Sequence, residues 1–305
     1  MNGARSCWTF IVLVVLHVIP SSAQLTKNSR WTGGLRERYT VTENIVYSRV
    51  DTMSDRLDLY VPKGLKNPAP VLIWIHGGGW GRLSKDSVSG QIIPYLEFGW
   101  IVANVDYRLT AAGLAPAAVQ DCRAALRWIA ANAKRLNVDL QRIVLSGTSA
   151  GGHLALITGM LPPGIVFDTL GSVKETPRVA AIINHYGVTD VNDLLDRANR
   201  RGYALAWIGE QPNRNEVAKA VSPLTYVRRE LPPVFSVQGD ADPTVPYSHA
   251  VRLHAALDSA GVPNELMTIP GGQHGKFTKE QNESIKRRIQ AFLMRNKIIG
   301  EQEQK

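Results

Sequence analysis

A serine between two glycines is the first group in the sequence whose surroundings suit covalent chemistry. Residues 147–151 read Gly-Thr-Ser-Ala-Gly, with Ser149 at the centre. The apolar residues 143–145 precede it, and residues 150–161, rich in Ala, Leu and Ile, follow it. This order of strand, sharp turn and helix is the setting in which Gly-x-Ser-x-Gly holds a nucleophilic serine. Glycines allow the chain to double back on itself, and the helix N-terminus favours negative charge beside the serine.

A glycine-rich loop offers groups that stabilise such a charge. His-Gly-Gly-Gly-Trp follows the apolar residues 71–75 directly. Successive glycines leave backbone amides uncovered and allow φ values that other residues avoid. We therefore expect the amides of Gly78 and Gly79, with that of Ala150, to bind an oxyanion. Trp80 is predicted to contact substrate through its flat apolar ring, and His76 is expected to brace the loop.

The base and its orienting acid are predicted from two further loops. Residues 239–243 (Gly-Asp-Ala-Asp-Pro) and 271–275 (Gly-Gly-Gln-His-Gly) each follow a predicted strand, at the sheet edge where open α/β sheets bind ligands. His274, with small neighbours, is the predicted base. Spacing leaves both Asp240 and Asp242 as candidates for the acid, and the Asp-Pro turn favours Asp242. Other histidines are expected to pack or to line the pocket, including His153 on the helix after Ser149 and His185 at a strand end.

Strands alternate with helices along the chain, which predicts one doubly wound α/β domain. Residues 71–75 and 100–105 are apolar at nearly every position, as in strands covered on both faces. Residues 40–47 and 57–61 predict an antiparallel pair at one sheet edge, and residues 117–136 predict a long amphipathic helix. Residues 188–233 interrupt the alternation. They are predicted to form a cap over the substrate pocket, the alternative being an ordinary helical crossover.

The first 23 residues have the pattern of a secretory signal. Arg5 precedes the apolar residues 8–19, and small residues lead to Ala23, the predicted cleavage site. The apolar stretch is short for a membrane span. We therefore predict a secreted or periplasmic protein in which residues 24–305 form a single domain. Removal of Cys7 leaves Cys122, on a helical apolar stripe, as a buried core residue without an intrachain disulfide.

The charge balance does not indicate a nucleic-acid partner. The net charge of +9 falls by one when Arg5 is removed, and no basic stripe interleaved with aromatic residues is present in the sequence. Metal-ligand spacings such as His-Glu-x-x-His are also absent from it. The predicted partner is a small-molecule or polysaccharide-linked ester, with no metal, no cofactor and no membrane span, and the oligomeric state is left open.

Taken together, these motifs resemble the α/β-hydrolase superfamily. The chain is most similar to its His-Gly-Gly-Gly esterases, in particular the group with bacterial feruloyl and acetyl-xylan esterases. The likeness runs from about residue 57 to the C-terminal helix and includes the stretches 106–109, 116–121 and 239–246. Hormone-sensitive-lipase-like esterases fit less well. They usually follow Tyr-Arg-Leu with Ala-Pro-Glu, whereas residues 107–112 of this chain read Tyr-Arg-Leu-Thr-Ala-Ala. They also carry a longer N-terminal cap. The resemblance implies a mostly parallel sheet of about eight strands with helices on both faces. It also implies that Asp242, before the Val-Pro step, is the catalytic acid.

The implied function is hydrolysis of short-chain or plant-cell-wall esters by Ser149, His274 and Asp242. Acetyl to butyryl esters are expected to be better substrates than long-chain triglycerides. One alternative is an amide hydrolase of the arylformamidase type, since such enzymes share a His-Gly-Gly-x-Trp loop. Another is a binding protein on a hydrolase scaffold, which the presence of all three predicted catalytic residues disfavours.

Overall fold

The computed structural model describes residues 34–165, 167–170 and 176–300. The predicted signal segment, 1–23, lies outside the described residues. The chain divides into two compact units, residues 1–39 and 40–305. In the first, the residues described are a helical stretch at 34–38 and Tyr39. The second contains every residue of the predicted site.

A single sheet of eight strands dominates the described residues, in the order β1-β2-β4-β3-β5-β6-β7-β8. Its strands are β1 (Tyr39–Val50), β2 (Met53–Pro62), β3 (Ala69–Ile75), β4 (Ile101–Val105), β5 (Val138–Thr148), β6 (Ala181–His185), β7 (Val234–Gly239) and β8 (Asn264–Ile269). A two-residue turn joins β1 to β2 at the sheet edge, where the sequence predicts a strand pair. β2 is antiparallel to β4, and the pairs from β4 through β3, β5, β6 and β7 to β8 are parallel. The predicted mostly parallel sheet is confirmed.

Helices surround this sheet. They are α1 (Ile93–Glu97), α2 (Ala117–Ala131), α3 (Ala133–Leu136), α4 (Ala150–Met160), α5 (Gly202–Ile208), α6 (Arg214–Ala220), α7 (Ser248–Ser259) and α8 (Lys279–Arg295). α4 packs on β5 and β6, α7 on β8, and α8 on β7 and β8. Every residue of β3, β4 and β7 is buried, as expected for strands covered on both faces. Cys122 on α2 is buried and free, as predicted, and burial raises the pKa of its thiol.

Several predicted boundaries differ from the structure, including those of both edge strands, and two of the differences concern the elements around the site. The predicted helix 117–136 is two helices, because the backbone of Asn132 leaves helical geometry (φ −100°, ψ 4°) and its side-chain amide donates to the Trp128 carbonyl at 2.8 Å. The strand predicted at 143–145 is longer in the structure, where β5 includes polar residues before the apolar run. By contrast, α4 ends where predicted, because Leu161 is extended (φ −60°, ψ 133°) before a proline.

The segment 188–233 lies between β6 and β7. Besides α5 and α6 it contains two short 3₁₀ helices, Asp193–Leu195 and Pro223–Tyr226. It is tied to α7, because the Thr189 hydroxyl donates to the His249 carbonyl at 2.9 Å and the His249 ring contacts the Asp193 carboxylate at 3.0 Å. The segment is therefore held in place by side-chain contacts, and its role as a cap stays a prediction.

Candidate active site

The turn from β5 into α4 holds Ser149 in a strained backbone conformation. Its φ is +56° and its ψ is −120°, a backbone conformation that residues other than glycine rarely adopt. The Ser149 amide donates to the His185 carbonyl at 2.8 Å, which ties the turn to β6. A Cβ at Gly147 would approach the Ile75 carbonyl to 2.5 Å, and one at Gly151 would approach it to 2.0 Å. Both flanking glycines are thus required by the close approach of β3.

Ser149, His274 and Asp242 form one chain of hydrogen bonds. The Asp242 carboxylate Oδ2 lies 2.7 Å from His274 Nδ1, and His274 Nε2 lies 2.7 Å from Ser149 Oγ. An ionised carboxylate can only accept, so Nδ1 donates to it and Nε2 is left to accept the serine proton. The His274 side chain is 20% exposed, whereas that of Asp242 is fully buried. The imidazole therefore borders the solvent-facing cleft, whereas the Asp242 carboxylate that orients it is shielded from solvent.

The Asp242 carboxylate is fixed by three other donors. The backbone amides of Thr244 and Val245 donate to Oδ1 at 2.7 and 3.0 Å, and the Gln238 amide donates to Oδ2 at 2.8 Å. Asp240, the other candidate acid, is exposed and accepts from the Gly271 amide at 2.6 Å. The structure thus brings Asp242 to the imidazole, whereas Asp240 contacts the backbone of the loop that carries His274.

The glycine-rich loop borders the same cleft as Ser149 and His274. Gly78 and Gly79 have φ values of +107° and +60°, and a Cβ at Gly78 would lie 2.0 Å from the Arg82 carbonyl. Within the described chain, the amides of Gly78 and Gly79 donate no backbone hydrogen bond. Ala150 is the first residue of α4, where helical amides have no partner within the helix. These three predicted oxyanion residues line a cleft of about 390 Å³.

A cluster of aromatic rings supports the glycine-rich loop from behind. The indole of Trp80 stacks on that of Trp207 with ring centres 4.2 Å apart, and its N–H donates to His153 Nδ1 at 3.2 Å. His153 Nε2 in turn donates to the Val221 carbonyl at 2.7 Å. Burial lowers the pKa of His153 to about 4, so the ring is neutral and can accept at Nδ1. The cluster links the loop to α4 and to segment 188–233.

The two tryptophans do not present open ring faces to the cleft. Trp80 borders it, but its side chain is fully buried, and so is that of Trp207. Each indole covers one face of the other, and both side chains are buried. Neither ring therefore offers substrate the open flat face that was predicted for Trp80. Tyr203 is the aromatic residue of segment 188–233 that does line the cleft, and its hydroxyl donates to the Thr244 carbonyl at 2.9 Å. Substrate contact by Trp80 stays a prediction.

His76, the first residue of the glycine-rich loop, is buried and contacts its neighbours in the protein interior. Its ring stacks on Tyr107 with centres 4.3 Å apart, and Nδ1 lies 2.8 Å from the Gly77 carbonyl. Burial lowers the pKa of His76 to about 4. The ring is therefore neutral and buried, and it is not among the described residues that line the cleft with Ser149.

This geometry supports nucleophilic attack by a serine. His274 can accept the Ser149 proton, Asp242 can stabilise the resulting imidazolium, and the amides beside Ser149 can bind an anionic oxygen. Within the described residues, no group of three or more His, Cys, Asp or Glu side chains could hold a metal ion. None of the described helices is both long enough and apolar enough to cross a membrane.

Comparison with known proteins identifies the family. A family model described as BD-FAE matches residues 57–257, which is more than half of the chain. The chain belongs to the BD-FAE family. Esterase LipC of Mycobacterium tuberculosis is 29% identical over 256 residues, covering 80% of this chain and 62% of LipC. The chain spans about half the length of the first curated relatives that it matches, from 44% to 62%.

Two solved structures extend the comparison. A truncated carbohydrate esterase from gut microbiota is 28% identical, with a TM-score of 0.72 over 84% of this chain and 96% of its own. The propionate-bound esterase Est2 of the planctomycete Thermogutta terrifontis is also 28% identical, with a TM-score of 0.72 over 85% and 95% of the two chains. These neighbours and the eight-stranded sheet establish the α/β-hydrolase fold of the BD-FAE protein described here. The named relatives are esterases and support an ester hydrolase.

Some residues around the site carry no recognisable sequence signal. Gln238 orients the Asp242 carboxylate from β7, but a glutamine at the end of a buried strand has no motif. Tyr186 lies edge-on to His274 with ring centres 4.9 Å apart and has a φ of +44°. The position of Tyr186 directly after a strand that ends in His185 was the only hint that it borders the site.

Proposed function

We propose that this BD-FAE protein is a secreted serine carboxylesterase that acts on short-chain or plant-cell-wall esters through Ser149, His274 and Asp242. The observation that carries the proposal is the 2.7 Å contact between Ser149 Oγ and His274 Nε2, made at a turn where Ser149 has a φ of +56°. A strained nucleophile with an oriented base is the arrangement that acyl transfer requires.

The proposed reaction has two halves. Ser149 Oγ attacks the ester carbonyl while His274 accepts its proton, and Asp242 stabilises the imidazolium. His274 then gives this proton to the oxygen of the departing alcohol, leaving an acyl group on Ser149. Water, deprotonated by His274, attacks the acyl-enzyme, and the carboxylic acid leaves as Ser149 regains its proton.

Negative charge on the carbonyl oxygen is proposed to be bound by the amides of Gly78, Gly79 and Ala150. The positive φ values of the two glycines and the start of α4 at Ala150 support this role. Preorganised amides of this kind typically contribute about 10²–10³ in rate each.

The substrate class is supported by the size of the cleft and by the relatives. A cleft of about 390 Å³ suits a small ligand. One structural neighbour is a carbohydrate esterase and another is bound to propionate, which supports a short acyl group and a carbohydrate-linked ester. The signal-like residues 1–23 support export.

Hydrolysis of p-nitrophenyl esters from acetate to palmitate tests the proposal, with methyl ferulate, acetylated xylan and N-formylkynurenine measured in parallel. We expect the highest kcat/KM between acetate and butyrate, activity on at least one plant-wall substrate, and none in folded Ser149→Ala. A maximum at laurate or beyond would contradict the short-acyl preference. Faster turnover of N-formylkynurenine than of any ester would replace the esterase by an amide hydrolase.

A further inference from the structure

A second cavity of about 440 Å³ lies beside the catalytic cleft. Four residues line both: Gln91, Thr148, Tyr186 and Gly275. We call this cavity the side chamber. Its other walls are largely aromatic and aliphatic, and its aromatic members besides Tyr186 are Trp74, Tyr95, Phe98, His185 and Phe277. The side chamber therefore shares part of its wall with the cleft that contains Ser149 and His274.

Tyr186 and Gly275 form the part of the boundary that lies beside His274, and Thr148 and Gln91 form the rest. Tyr186 packs edge-on against both His274, at 4.9 Å between ring centres, and Phe277, at 5.8 Å. A Cβ at Gly275 would come within 2.8 Å of the Tyr186 hydroxyl, so a side chain there would collide with the tyrosine. The absence of a side chain at Gly275 keeps Tyr186 against the catalytic imidazole.

Two buried nitrogen atoms belong to residues that line the chamber and have no hydrogen-bond partner in the described part of the chain. They are His185 Nε2 and Trp74 Nε1, and their rings are centred 5.6 Å apart. Burial lowers the pKa of His185 to about 4, so its imidazole is neutral. Buried polar atoms without partners are uncommon, and both of these are shielded from solvent, so a ligand oxygen in the chamber reaches them only when a neighbouring side chain shifts.

The outer part of the chamber carries charge. Lys286 on α8 and Glu97 on α1 both line it, and their side chains form an ion pair of 2.6 Å. The chamber thus has aromatic walls and a charged pair that links the two helices beside it.

We propose that the side chamber binds the alcohol part of the ester and that this alcohol carries a six-membered ring with a hydroxyl group. The inference rests on the proposed function, because it assigns the chamber to the leaving group of that reaction. The leaving oxygen must meet His274 Nε2 to take its proton, so the alcohol extends on the His274 side, where Tyr186 and Gly275 border the chamber. The acyl group then stays in the catalytic cleft.

The chamber walls account for the ring and the hydroxyl. Flat rings pack well against aromatic side chains, which here include Phe98 and Phe277. A ring hydroxyl can exchange a hydrogen bond with neutral His185 once a neighbouring side chain shifts to uncover its buried Nε2, which has no protein partner among the described residues. A chamber of about 440 Å³ lies within the usual range for small-molecule sites, about 300–1,000 Å³.

Two isomeric esters place the same ring on opposite sides of the scissile bond. Benzyl acetate carries it on the alcohol, and methyl phenylacetate carries it on the acid. We expect a higher kcat/KM for benzyl acetate in the wild-type protein. Phe98→Ala and Phe277→Ala should each lower kcat/KM for benzyl acetate, relative to that for ethyl acetate, by about tenfold. Val251→Ala, an exposed site on α7, is the matched control and should leave this ratio unchanged.

The hydroxyl is tested by 3-hydroxybenzyl acetate. We expect it to exceed benzyl acetate in the wild type and to lose this advantage in His185→Phe, which keeps a flat ring. An advantage that persists in His185→Phe would overturn the hydrogen bond to His185. The 6-O-acetyl ester of methyl glucoside, assayed in the same variants, distinguishes a sugar ring from an aromatic one.

Two outcomes would overturn assignment of the chamber to the alcohol. One is a preference for methyl phenylacetate that is lost in the Phe98 and Phe277 variants, because the chamber would then bind the acyl group. The other is an unchanged ratio in both variants when circular dichroism shows them to be folded. Failure of the proposed function looks different, since the wild type would then hydrolyse neither ethyl acetate nor any other ester.

Discussion

Substitution of Gly151 by alanine tests how closely the serine turn packs against β3. A Cβ at this position would lie 2.0 Å from the Ile75 carbonyl oxygen and 2.5 Å from that of His76. Ordinary carbon–oxygen contacts begin at about 3.3 Å, so the overlap exceeds about 1 Å. β3 cannot move away easily, because it is hydrogen-bonded to β4 on one side and β5 on the other.

The expected cost is large for a single methyl group. Overpacking against a fixed backbone destabilises by about 3 kcal/mol, which corresponds to a fall in Tm of about 6–12 °C. The turn must also shift relative to the glycine-rich loop, and a displacement of about 1 Å lowers kcat/KM by about 100-fold. Differential scanning calorimetry and p-nitrophenyl acetate hydrolysis measure the two effects.

Two other glycines serve as graded controls. A Cβ at Gly202, the first residue of α5, would meet no atom within 4 Å, so Gly202→Ala should leave Tm and activity near wild type. A Cβ at Gly159 would meet the flexible end of Ile182 at 2.7 Å, and Gly159→Ala should cost about 1 kcal/mol. Equal Tm values for the Gly151 and Gly202 variants, with full activity in both, would refute the close packing of this turn.

Two further predictions concern the acid and the response to pH. Asp242→Asn should lower kcat by about 10⁴, whereas Asp240→Asn should cost less than about tenfold; equal losses on p-nitrophenyl acetate would contradict the choice of Asp242. The buried histidines whose pKa is lowered from 6.5 to about 4 are His76, His153 and His185. Between pH 6.5 and 4 the unfolded chain protonates these rings and the folded protein does not, so stability is complete above pH 6.5 and falls as the pH falls. Asp55 acts in the opposite direction, because burial raises its pKa to about 7 and the folded protein keeps a proton there that the unfolded chain releases. The three histidines outnumber Asp55, so the free energy of unfolding is predicted to fall as the pH is lowered, most steeply below pH 6.5 and by on the order of 2 kcal/mol per pH unit there, measured by urea denaturation at pH 7, 6 and 5. A free energy that is constant over this range would show that the histidines are not buried as described.

The parts of the site that depend on local sequence were the most predictable. The turn at Ser149 and the glycine-rich loop follow from short motifs, because crowding of the backbone leaves few residue types that fit. His274 and Asp242 lie far from Ser149 along the chain, yet both follow strands of the parallel part of the sheet. The carboxyl ends of parallel strands meet at one edge, and this places the two loops side by side.

Contacts between distant segments could not be read from the sequence. The ring of Trp80 was predicted to contact substrate, but Trp207 stacks on one of its faces. No sequence pattern in segment 188–233 predicts that stacking. The break at Asn132 depends on one side-chain hydrogen bond that competes with the helix. The side chamber needs α1, α8 and the end of β6 together, so it exists only once the fold is formed.

The central claim is that Ser149 is the nucleophile of an acyl-transfer site, and covalent trapping tests it most directly. The protein is treated with diisopropyl fluorophosphate and measured by intact-mass and peptide-mapping mass spectrometry, with folded Ser149→Ala in parallel. Because the geometry activates one hydroxyl, we predict one adduct per chain, on Ser149, with esterase activity lost in proportion to labelling and no adduct in the variant. An adduct on another residue, or full esterase activity in a protein labelled completely at Ser149, would contradict the claim.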